Sequence, residues 1–397
     1  MPVARAGMVG MAMGDEGASD RSHRIDVEIA GRAAQTLRRG AEKFFRAHGG
    51  KIESESGSGK GSPWNFRKSL QNTGRRIIPR AFNPKIWFLM TRAILSSGDL
   101  IADRRAHYAE MMFEAGDHAS AADVMRQALE IVPGWAPGLF RLGEMEEKAG
   151  HLDAAADAWR NVLKADAEDR FGASLKLASL GVTAQPDAPP SAYVETLFDA
   201  YAPTFETALV EKLDYRVPEL LAEAIVRAGG SRHYRHAIDL GCGTGLMGER
   251  LRASVSFLQG IDLSEAMLRK AEEKRIYDRL EKGDVNELEK PEIPADLVVA
   301  ADVFVYVGNL DRAFANIAEA LEPGGLFAFS VETHETDGPS EEELLLQPSL
   351  RFTHSAAYVI GLLTRHGFTP LEMNKATIRH DRGEPLTGIV VVARRTG

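Results

Sequence analysis

A run of closely spaced glycines in the middle of the chain constrains the fold more than any other feature. Gly241, Gly243 and Gly245 follow directly on an apolar stretch that ends at Leu240. Glycines at this spacing let the backbone turn tightly from a strand into a helix, and they leave room for a bound nucleoside because they carry no Cβ atom. We therefore predict a strand, a glycine loop and a helix here, with a nucleoside site at the loop.

A second short apolar strand follows and ends in a carboxylate. The segment 259–264 reads Gln-Gly-Ile-Asp-Leu-Ser, which places Asp262 at the carboxyl end of that strand. An acidic side chain at this position can hydrogen-bond both hydroxyls of a ribose. The two segments together predict a site for a nucleoside cofactor.

The charges around the glycine loop distinguish between two kinds of cofactor. Residues 243–248 match the Gly-x-Gly-x-x-Gly spacing of dinucleotide sites, where a helix N-terminus receives a pyrophosphate. Asp239 stands at the end of the preceding strand, however, and would repel an anion. Together with Asp262 and Asp284 it suits a ligand that carries positive charge and no phosphate. S-adenosylmethionine, with its sulfonium and ammonium groups, is such a ligand, and we predict it as the cofactor.

The stretch from about Tyr193 to Arg395 resembles the class I S-adenosylmethionine-dependent methyltransferases, in particular the bacterial group that carries tetratricopeptide repeats ahead of the catalytic domain. Five segments in the family's order carry the resemblance: 239–245, 260–264, 282–285, 296–303 and 321–327. The resemblance implies an α/β domain built on a doubly wound, mostly parallel seven-stranded sheet of Rossmann-like type. It also implies a preceding all-α tetratricopeptide-repeat domain, and it leaves the methyl acceptor open.

The candidate site residues lie near the carboxyl ends of the predicted strands, where open α/β sheets bind ligands. The predicted cofactor-binding residues are Asp239, Gly241, Gly243, Gly245, Asp262, Leu263, Met267, Asp284, Val285 and Asp302. The predicted catalytic residues are His354, Tyr306 and Tyr201, the last of which belongs to a segment that resembles a mobile lid. Residues on both sides of His354 can cap a helix, which would fix its ring. Each of these side chains also has an ordinary structural interpretation.

The chemistry of the acceptor decides whether a catalytic base is needed. Methyl transfer from a sulfonium is an in-line displacement, so that the protein mainly positions the two reactants and excludes water. A hydroxyl or amine acceptor can also use a general base, whereas a carboxylate needs none. The family is distantly similar to enzymes that methylate the free carboxyl group of malonyl-carrier thioesters. We therefore expect a small-molecule or carrier-bound acceptor, with carboxyl O-methylation as the leading hypothesis.

Composition and periodicity divide the chain into four regions. They are a basic N-terminal region with a candidate amphipathic helix (1–84), a helical tetratricopeptide-repeat domain (85–184), a proline-rich linker (185–191) and the methyltransferase domain (192–397). A 34-residue period, which pairs Gly116 with Gly150 and Ala121 with Ala155, is typical of tetratricopeptide repeats. A generic helical hairpin domain is the alternative interpretation.

Charge is distributed unevenly along the chain. Residues 1–100 contain 17 Lys and Arg against 9 Asp and Glu, a net charge of +8, while the whole chain carries −9. A basic arm on an acidic body can bind nucleic acid or a membrane surface, it can fold back on the body, or it can be a partly disordered leader. The catalytic half is not basic, so we do not expect nucleic acid as a substrate.

Composition also limits the cellular setting and the other chemistry. No run of 18 apolar residues occurs, so no membrane span is predicted. The single cysteine, Cys242, excludes internal disulfides and fits a cytoplasmic location. No His and Cys cluster has the spacing of a metal site, so no metal is predicted.

Alternative functions stay open at this stage. The repeats could belong to a protein-binding adaptor with a vestigial cofactor domain, although the intact Asp239 and Asp262 argue against decay. They could instead recruit the substrate of a protein methyltransferase. A nucleic-acid methyltransferase is disfavoured, since no Asn-Pro-Pro-Tyr or Asp-Pro-Pro-Tyr run follows the fourth strand.

Overall fold

The computed structural model describes residues 96–207, 213–230, 232–334, 343–381 and 384–397. The predictions for the N-terminal region 1–84 lie outside these ranges. None of the helices within them is long and apolar enough to cross a membrane. Contacts group residues 97–133 and 144–151 into one unit, and the described parts of 134–143 and 152–397 into a second.

The first unit is built on a pair of helices, α1 (Leu100–Glu114) and α2 (His118–Ile131). Asp99 begins α1, because its side chain accepts hydrogen bonds from the first free backbone N–H groups of the helix. Gly116 has a φ of +84° in the connection, a conformation that costs glycine little. Fully buried alanines on both helices, among them Ala102 and Ala121, allow close packing.

Three further helices follow: α3 (Ala136–Ala149), α4 (Leu152–Ala165) and α5 (Ala173–Ser179). Trp159 of α4 is fully buried and packs against Gly143, where a Cβ atom would lie 2.2 Å from the indole nitrogen. The sequence predicts a capping helix over 171–180, and this helix corresponds to α5. The assignment of these helices to tetratricopeptide repeats stays a prediction, as do the domain boundaries.

The second unit contains a seven-stranded sheet with the strand order β3-β2-β1-β4-β5-β9-β8. The strands are β1 (Tyr234–Leu240), β2 (Val255–Asp262), β3 (Arg279–Lys282), β4 (Ala295–Ala300), β5 (Leu321–Glu332), β8 (Phe368–Asp381) and β9 (Glu384–Arg395). The first five are parallel to one another, and β9 is antiparallel to both of its neighbours. This arrangement confirms the predicted mostly parallel, Rossmann-like sheet.

Helices cover both faces of the sheet. They are α7 (Val217–Gly229), α8 (Leu246–Leu251), α9 (Glu265–Lys274), α10 (Asp311–Ala320) and α11 (Ala356–Arg365). One face has an aromatic core, in which Phe304, Phe314 and Phe329 are fully buried and pack with α10 and α11. The other face packs Leu221 of α7 against aliphatic strand residues. The two cores hold the strand ends in fixed positions.

The carboxyl ends of the five parallel strands meet at one edge, and the strand order reverses there between β1 and β4. Ligands of doubly wound sheets bind at such a point. The elements above this edge are α6 (Ser191–Tyr201), the 3₁₀ turn Ala202–Thr204 and a small hairpin of β6 (Leu344–Leu346) and β7 (Phe352–His354). The predicted lid therefore corresponds to a helix and a turn.

Candidate active site

The glycine loop connects β1 to α8 in the manner that the sequence predicts. Gly241, Gly243 and Gly245 have φ values of +59°, +54° and +93°. A Cβ atom on Gly241 would lie 2.5 Å from a methyl group of Val303, whereas a Cβ on Gly243 would meet only Phe205, at 3.8 Å. The loop therefore needs glycine for its backbone conformation throughout, and at Gly241 also for a close approach.

Asp262 at the end of β2 is tied to the glycine loop. Its carboxylate accepts hydrogen bonds from the backbone N–H of Gly243 and of Ser264, both at 2.8 Å. Burial raises the pKa of Asp262 to about 6, although these two hydrogen bonds oppose the shift. Each carboxylate oxygen can accept a second hydrogen bond, so Asp262 keeps acceptor capacity on the side that lines the cavity.

Asp239 lies behind the loop and supports it. Its carboxylate is fully buried and accepts a 2.6 Å hydrogen bond from the hydroxyl of Tyr277. Burial raises the pKa of Asp239 to about 7, and the hydrogen bond from Tyr277 opposes this while the charge of Asp262 adds to it. Asp239 is therefore partly protonated at neutral pH.

Asp284 follows β3 and connects the cofactor loops with the lid. One of its oxygens caps the turn Val285–Glu287 by accepting from the N–H of Asn286, and the other accepts from the hydroxyl of Ser191 at 2.8 Å. Its side chain and those of its neighbours line the cavity.

The lid helix α6 makes further polar contacts with this half of the site. Asp199 accepts hydrogen bonds from the Ser264 hydroxyl at 2.6 Å and from the N–H of Ala266 at 3.1 Å. Glu195 pairs with Lys282 at 2.6 Å. These contacts hold α6 over the ends of β2 and β3.

Aromatic side chains of the lid cover the centre of the cavity. Phe198 packs edge-on against Tyr306 with 5.0 Å between ring centroids, and Tyr201 packs edge-on against Phe205 at 5.4 Å. All four rings line the cavity. An apolar cover of this kind excludes water from the space beneath it.

A charge cluster joins Asp302, just beyond β4, to Glu332 at the end of β5 and Arg379 in β8. The guanidinium of Arg379, whose side chain is 2% exposed, donates to both Asp302 and Glu332. Arg351 from the β6–β7 hairpin lies 3.5 Å from Glu332, measured from Nε to Oε1. The two carboxylates raise the pKa of Arg379 although burial lowers it, so that its charge is retained.

Asp302 is held in an unusual backbone conformation within this cluster. Its φ is +61°, which costs a non-glycine residue free energy and is concentrated at functional sites. Its N–H donates to the hydroxyl of Ser330 at 2.9 Å, and Oδ1 is buried with no hydrogen-bond partner among the described residues. The unsatisfied oxygen lies on a side chain that lines the cavity, so it can accept a bond from a ligand.

Three tyrosines stand beside the cluster. Burial raises the pKa of Tyr201 to about 12, and it raises the pKa of Tyr215 and Tyr306 as well. The positive charges of Arg351 and Arg379 act in the opposite direction on Tyr201 and Tyr306. All three hydroxyls are therefore neutral at pH 7 and can donate hydrogen bonds.

The cavity has a volume of about 210 Å³ and is open to solvent at its mouth. The predicted site residues that line it are Gly241, Gly243, Asp262, Leu263, Asp284, Val285, Asp302, Tyr201 and Tyr306.

Four predicted residues do not line the cavity. Asp239 supports the loop from behind, Gly245 is the loop residue that precedes α8, and Met267 is fully buried within α9. His354 is also fully buried, and its Nε2 lies 2.8 Å from the carbonyl oxygen of Gly308. Burial lowers the pKa of His354 to about 4, which leaves it uncharged at pH 7. A buried, weakly basic ring outside the cavity does not suit the catalytic role that we predicted for it.

Sequence reasoning missed Tyr215, Arg351 and Arg379, which all line the cavity. Arg379 lies in β8, which extends to Asp381. Isolated arginines and tyrosines carry no spacing signal, and only the fold brings these three together.

The residues present fit S-adenosylmethionine. The loop leaves Cβ-free space at Gly243, Asp262 and Asp284 offer carboxylate acceptors, and the buried Oδ1 of Asp302 has no partner in the described part of the chain. These groups suit the hydroxyls and amines of a nucleoside and a positively charged ligand. No group of three His, Cys, Asp or Glu side chains within the described ranges could hold a metal ion.

Comparisons with known proteins agree with this chemistry. Residues 237–325 match the family model described as a methyltransferase domain. The chain is 28% identical over 100 residues to a ubiquinone biosynthesis O-methyltransferase of Coxiella burnetii, an alignment that covers 24% of this chain and 43% of that protein. It is 29% identical over 178 residues to human methyltransferase-like protein 27, covering 44% and 71%. It is 30% identical over 143 residues to a trans-aconitate 2-methyltransferase of Deinococcus radiodurans, covering 35% and 54%.

The match to the family model lies within the second unit. The chain spans less than half the length of the ubiquinone enzyme that it matches. The match over 237–325 agrees with the predicted methyltransferase class and with S-adenosylmethionine as its cofactor.

Proposed function

We propose that the protein is an S-adenosylmethionine-dependent methyltransferase that methylates a carboxyl oxygen of a small or carrier-bound acid. One observation carries the proposal. A single cavity joins the acidic residues Asp262 and Asp284, near the ends of β2 and β3, to Arg351 and Arg379, which lie close to Glu332 at the end of β5. The first group suits a cationic nucleoside cofactor, and the second suits an anionic acceptor.

The cofactor half of the cavity binds by hydrogen bonds to fixed carboxylates. S-adenosylmethionine, when bound, supplies a methyl group on a positively charged sulfur, which makes it an activated donor. Asp262 would accept from the ribose hydroxyls, while Asp284 would face the adenine amino group. Since Asp262 is held by two backbone N–H groups, it needs no rearrangement to accept these bonds.

The acceptor half needs no catalytic base if the acceptor is a carboxylate. A carboxylic acid is ionised at neutral pH, so its oxygen already has the lone pair that attacks the methyl group. The hydroxyls of Tyr201 and Tyr306 are neutral and available to orient the acceptor by donating hydrogen bonds. Guanidinium groups match the planar shape of a carboxylate. A relative named for trans-aconitate gives this acceptor class independent support.

The lid contributes by excluding water. The rings of Phe198 and Phe205 cover the cavity, and α6 is fixed to the cofactor half through Ser191 and Asp199. Closing this lid after both reactants have bound would hold them in line and prevent loss of the methyl group to water.

We further propose that α1 to α4 belong to tetratricopeptide repeats that recruit a protein or a carrier-bound acceptor. The specific observation is that Gly116 and Gly150, 34 residues apart, connect successive helices with nearly equal φ values of +84° and +86°. Equivalent turns at the repeat period are expected for units of one repeat family.

Isotope transfer followed by alkaline hydrolysis tests the proposal. The protein is incubated with cell extract and S-adenosylmethionine that carries a labelled methyl group, and the products are identified by mass spectrometry. We expect a labelled small acid whose label is released as methanol by mild alkali, because carboxyl methyl esters hydrolyse under conditions that leave methyl ethers and methylamines intact. Label that resists alkali would contradict the carboxyl assignment, and absence of transfer would contradict the enzyme assignment.

A further inference from the structure

Arg351 is presented to the cavity by a tightly defined turn. The turn joins β6 to β7 and is closed by two 2.8 Å hydrogen bonds, from Gln347 N–H to the Arg351 carbonyl and from Leu350 N–H to the Gln347 carbonyl. Leu350 has a φ of +60°, which is a strained conformation for a bulky side chain. Its side chain is buried with Leu175 and Tyr193, which holds the strained turn in place. The backbone of Arg351 is therefore fixed.

The guanidinium of Arg351 has unused hydrogen-bond donors. The side chain is 22% exposed, and Nε lies 3.5 Å from Glu332 without forming a hydrogen bond. Within the described part of the chain, its two terminal nitrogens have no partner. A guanidinium carries five N–H donors in a planar fork, so most of its donors remain available to a ligand in the cavity that it lines.

The other arginine of the cavity cannot take this role. Arg379 already donates to Asp302 and to Glu332, and it is more deeply buried than Arg351. Its charge is thus neutralised by groups of the protein. Of the two arginines, only Arg351 can form a bidentate pair with a ligand without breaking an existing ion pair.

We propose that Arg351 binds a carboxylate of the methyl acceptor other than the one that is methylated, so that the acceptor carries at least two carboxylates. This inference rests on the proposed function. A bidentate pair engages both oxygens of a carboxylate and withdraws electron density from them, which makes that carboxylate a poor nucleophile. The carboxylate held by Arg351 is therefore an anchor, and a second one accepts the methyl group. Tyr201 and Tyr306, which line the same cavity, would orient the second one.

Calorimetry with simple acids tests the assignment without knowledge of the natural acceptor. The full chain is loaded with S-adenosylhomocysteine and titrated with succinate, with tricarballylate and with dimethyl succinate. The variants are Arg351→Gln, Arg351→Lys and, as a matched control, Arg365→Gln. Arg365 is 64% exposed and pairs with Asp311 away from the cavity.

We expect one or both polycarboxylates to bind the wild-type protein, while dimethyl succinate does not bind. Arg351→Gln should weaken that binding by about tenfold or more, because it removes hydrogen bonds between charged groups. Arg351→Lys should retain part of it, and Arg365→Gln should match the wild type. S-adenosylhomocysteine affinity should be the same in all four proteins, which separates an anion-binding role from a structural one.

Two results would overturn the inference. They are failure of the wild-type protein to bind either polycarboxylate, and wild-type affinity for them in Arg351→Gln. Failure of the wild-type protein to bind S-adenosylhomocysteine would contradict the proposed function instead. In that case, titration with polycarboxylates in the absence of S-adenosylhomocysteine would still show whether Arg351 binds a carboxylate.

Discussion

The hydroxyl of Ser191, at the first residue of the lid helix, donates a 2.8 Å hydrogen bond to Asp284, at the end of the cofactor-binding strand β3. These residues are 93 positions apart in the sequence. The contact joins the element that closes the cavity to a carboxylate that we propose faces the cofactor. Lid position and cofactor binding are therefore expected to depend on each other.

Removal of this contact should make the lid open more readily. In Ser191→Ala we expect S-adenosylhomocysteine to dissociate a few-fold faster, consistent with the roughly 0.5–1.5 kcal/mol that one hydrogen bond contributes. Stopped-flow displacement measures the rate. Ser179→Ala is the control, since Ser179 donates only to a carbonyl of its own helix. Equal dissociation rates in all three proteins would show that Ser191 does not couple the lid to the cofactor.

The glycine loop gives a prediction about stability. Gly241→Ala places a methyl group 2.5 Å from Val303 and also forces a left-handed conformation on alanine, whereas Gly324→Ala meets open space at a φ of +82°. We expect a loss of about 1–2 kcal/mol in Gly324→Ala from the backbone alone and about 1–3 kcal/mol more in Gly241→Ala. Urea unfolding measures both. A similar loss of stability in the two variants would mean that the side chain of Val303 moves away from the added methyl group without destabilising the protein.

Much of the fold could be predicted because it depends on local patterns. The strands that begin near 236 and 257 and the helix near 264–273 follow from apolar runs bounded by glycines and by the cap Ser264. The sequence predicts a final antiparallel pair over 368–375 and 389–393, and the two strands in fact extend over 368–381 and 384–395. The short strand β3 and the β6–β7 hairpin were missed, because their sequences are too short to show a period.

The site could be predicted only where its residues lie next to a strand end. Asp262 is the last residue of β2 and Asp284 lies two residues after β3, so a local motif identifies both. Arg351 and Arg379 come from a hairpin and from an antiparallel strand, and they approach Glu332 only in the folded sheet. His354 was favoured because its neighbours can cap a helix. Ser355 does cap α11, but the same packing buries the ring.

The raised pKa of Asp239 leads to a prediction about pH. The pKa of Asp239 is about 7 in the folded protein and about 4 in the unfolded chain. The folded protein therefore loses stability as the pH rises from 4 to 7, because the buried carboxyl group has to ionise. Asp239→Asn removes this cost. The stability of the variant relative to wild type should therefore be greatest at pH 8 and should decline between pH 7 and pH 4 by up to about 1.4 kcal/mol per pH unit.

Thermal unfolding from pH 8 to pH 5 measures this difference. Asp157→Asn is the control, because Asp157 is 72% exposed and its replacement should give a curve nearly parallel to that of the wild type. Parallel curves for Asp239→Asn as well would mean that Asp239 stays ionised throughout.

Calorimetric titration with S-adenosylmethionine, comparing the wild-type protein with Asp262→Ala and Asp262→Asn, tests the central claim most directly. The claim is that the cavity at the ends of β1 and β2 binds this cofactor through Asp262. We predict that the wild-type protein binds and that Asp262→Ala loses about 2–4 kcal/mol, the value of two charge-assisted hydrogen bonds to the ribose. Asp262→Asn, which keeps the shape of the side chain, should lose part of this, while Asp157→Ala should lose none. Unchanged affinity in a folded Asp262→Ala protein, or no binding by the wild type, would contradict the account.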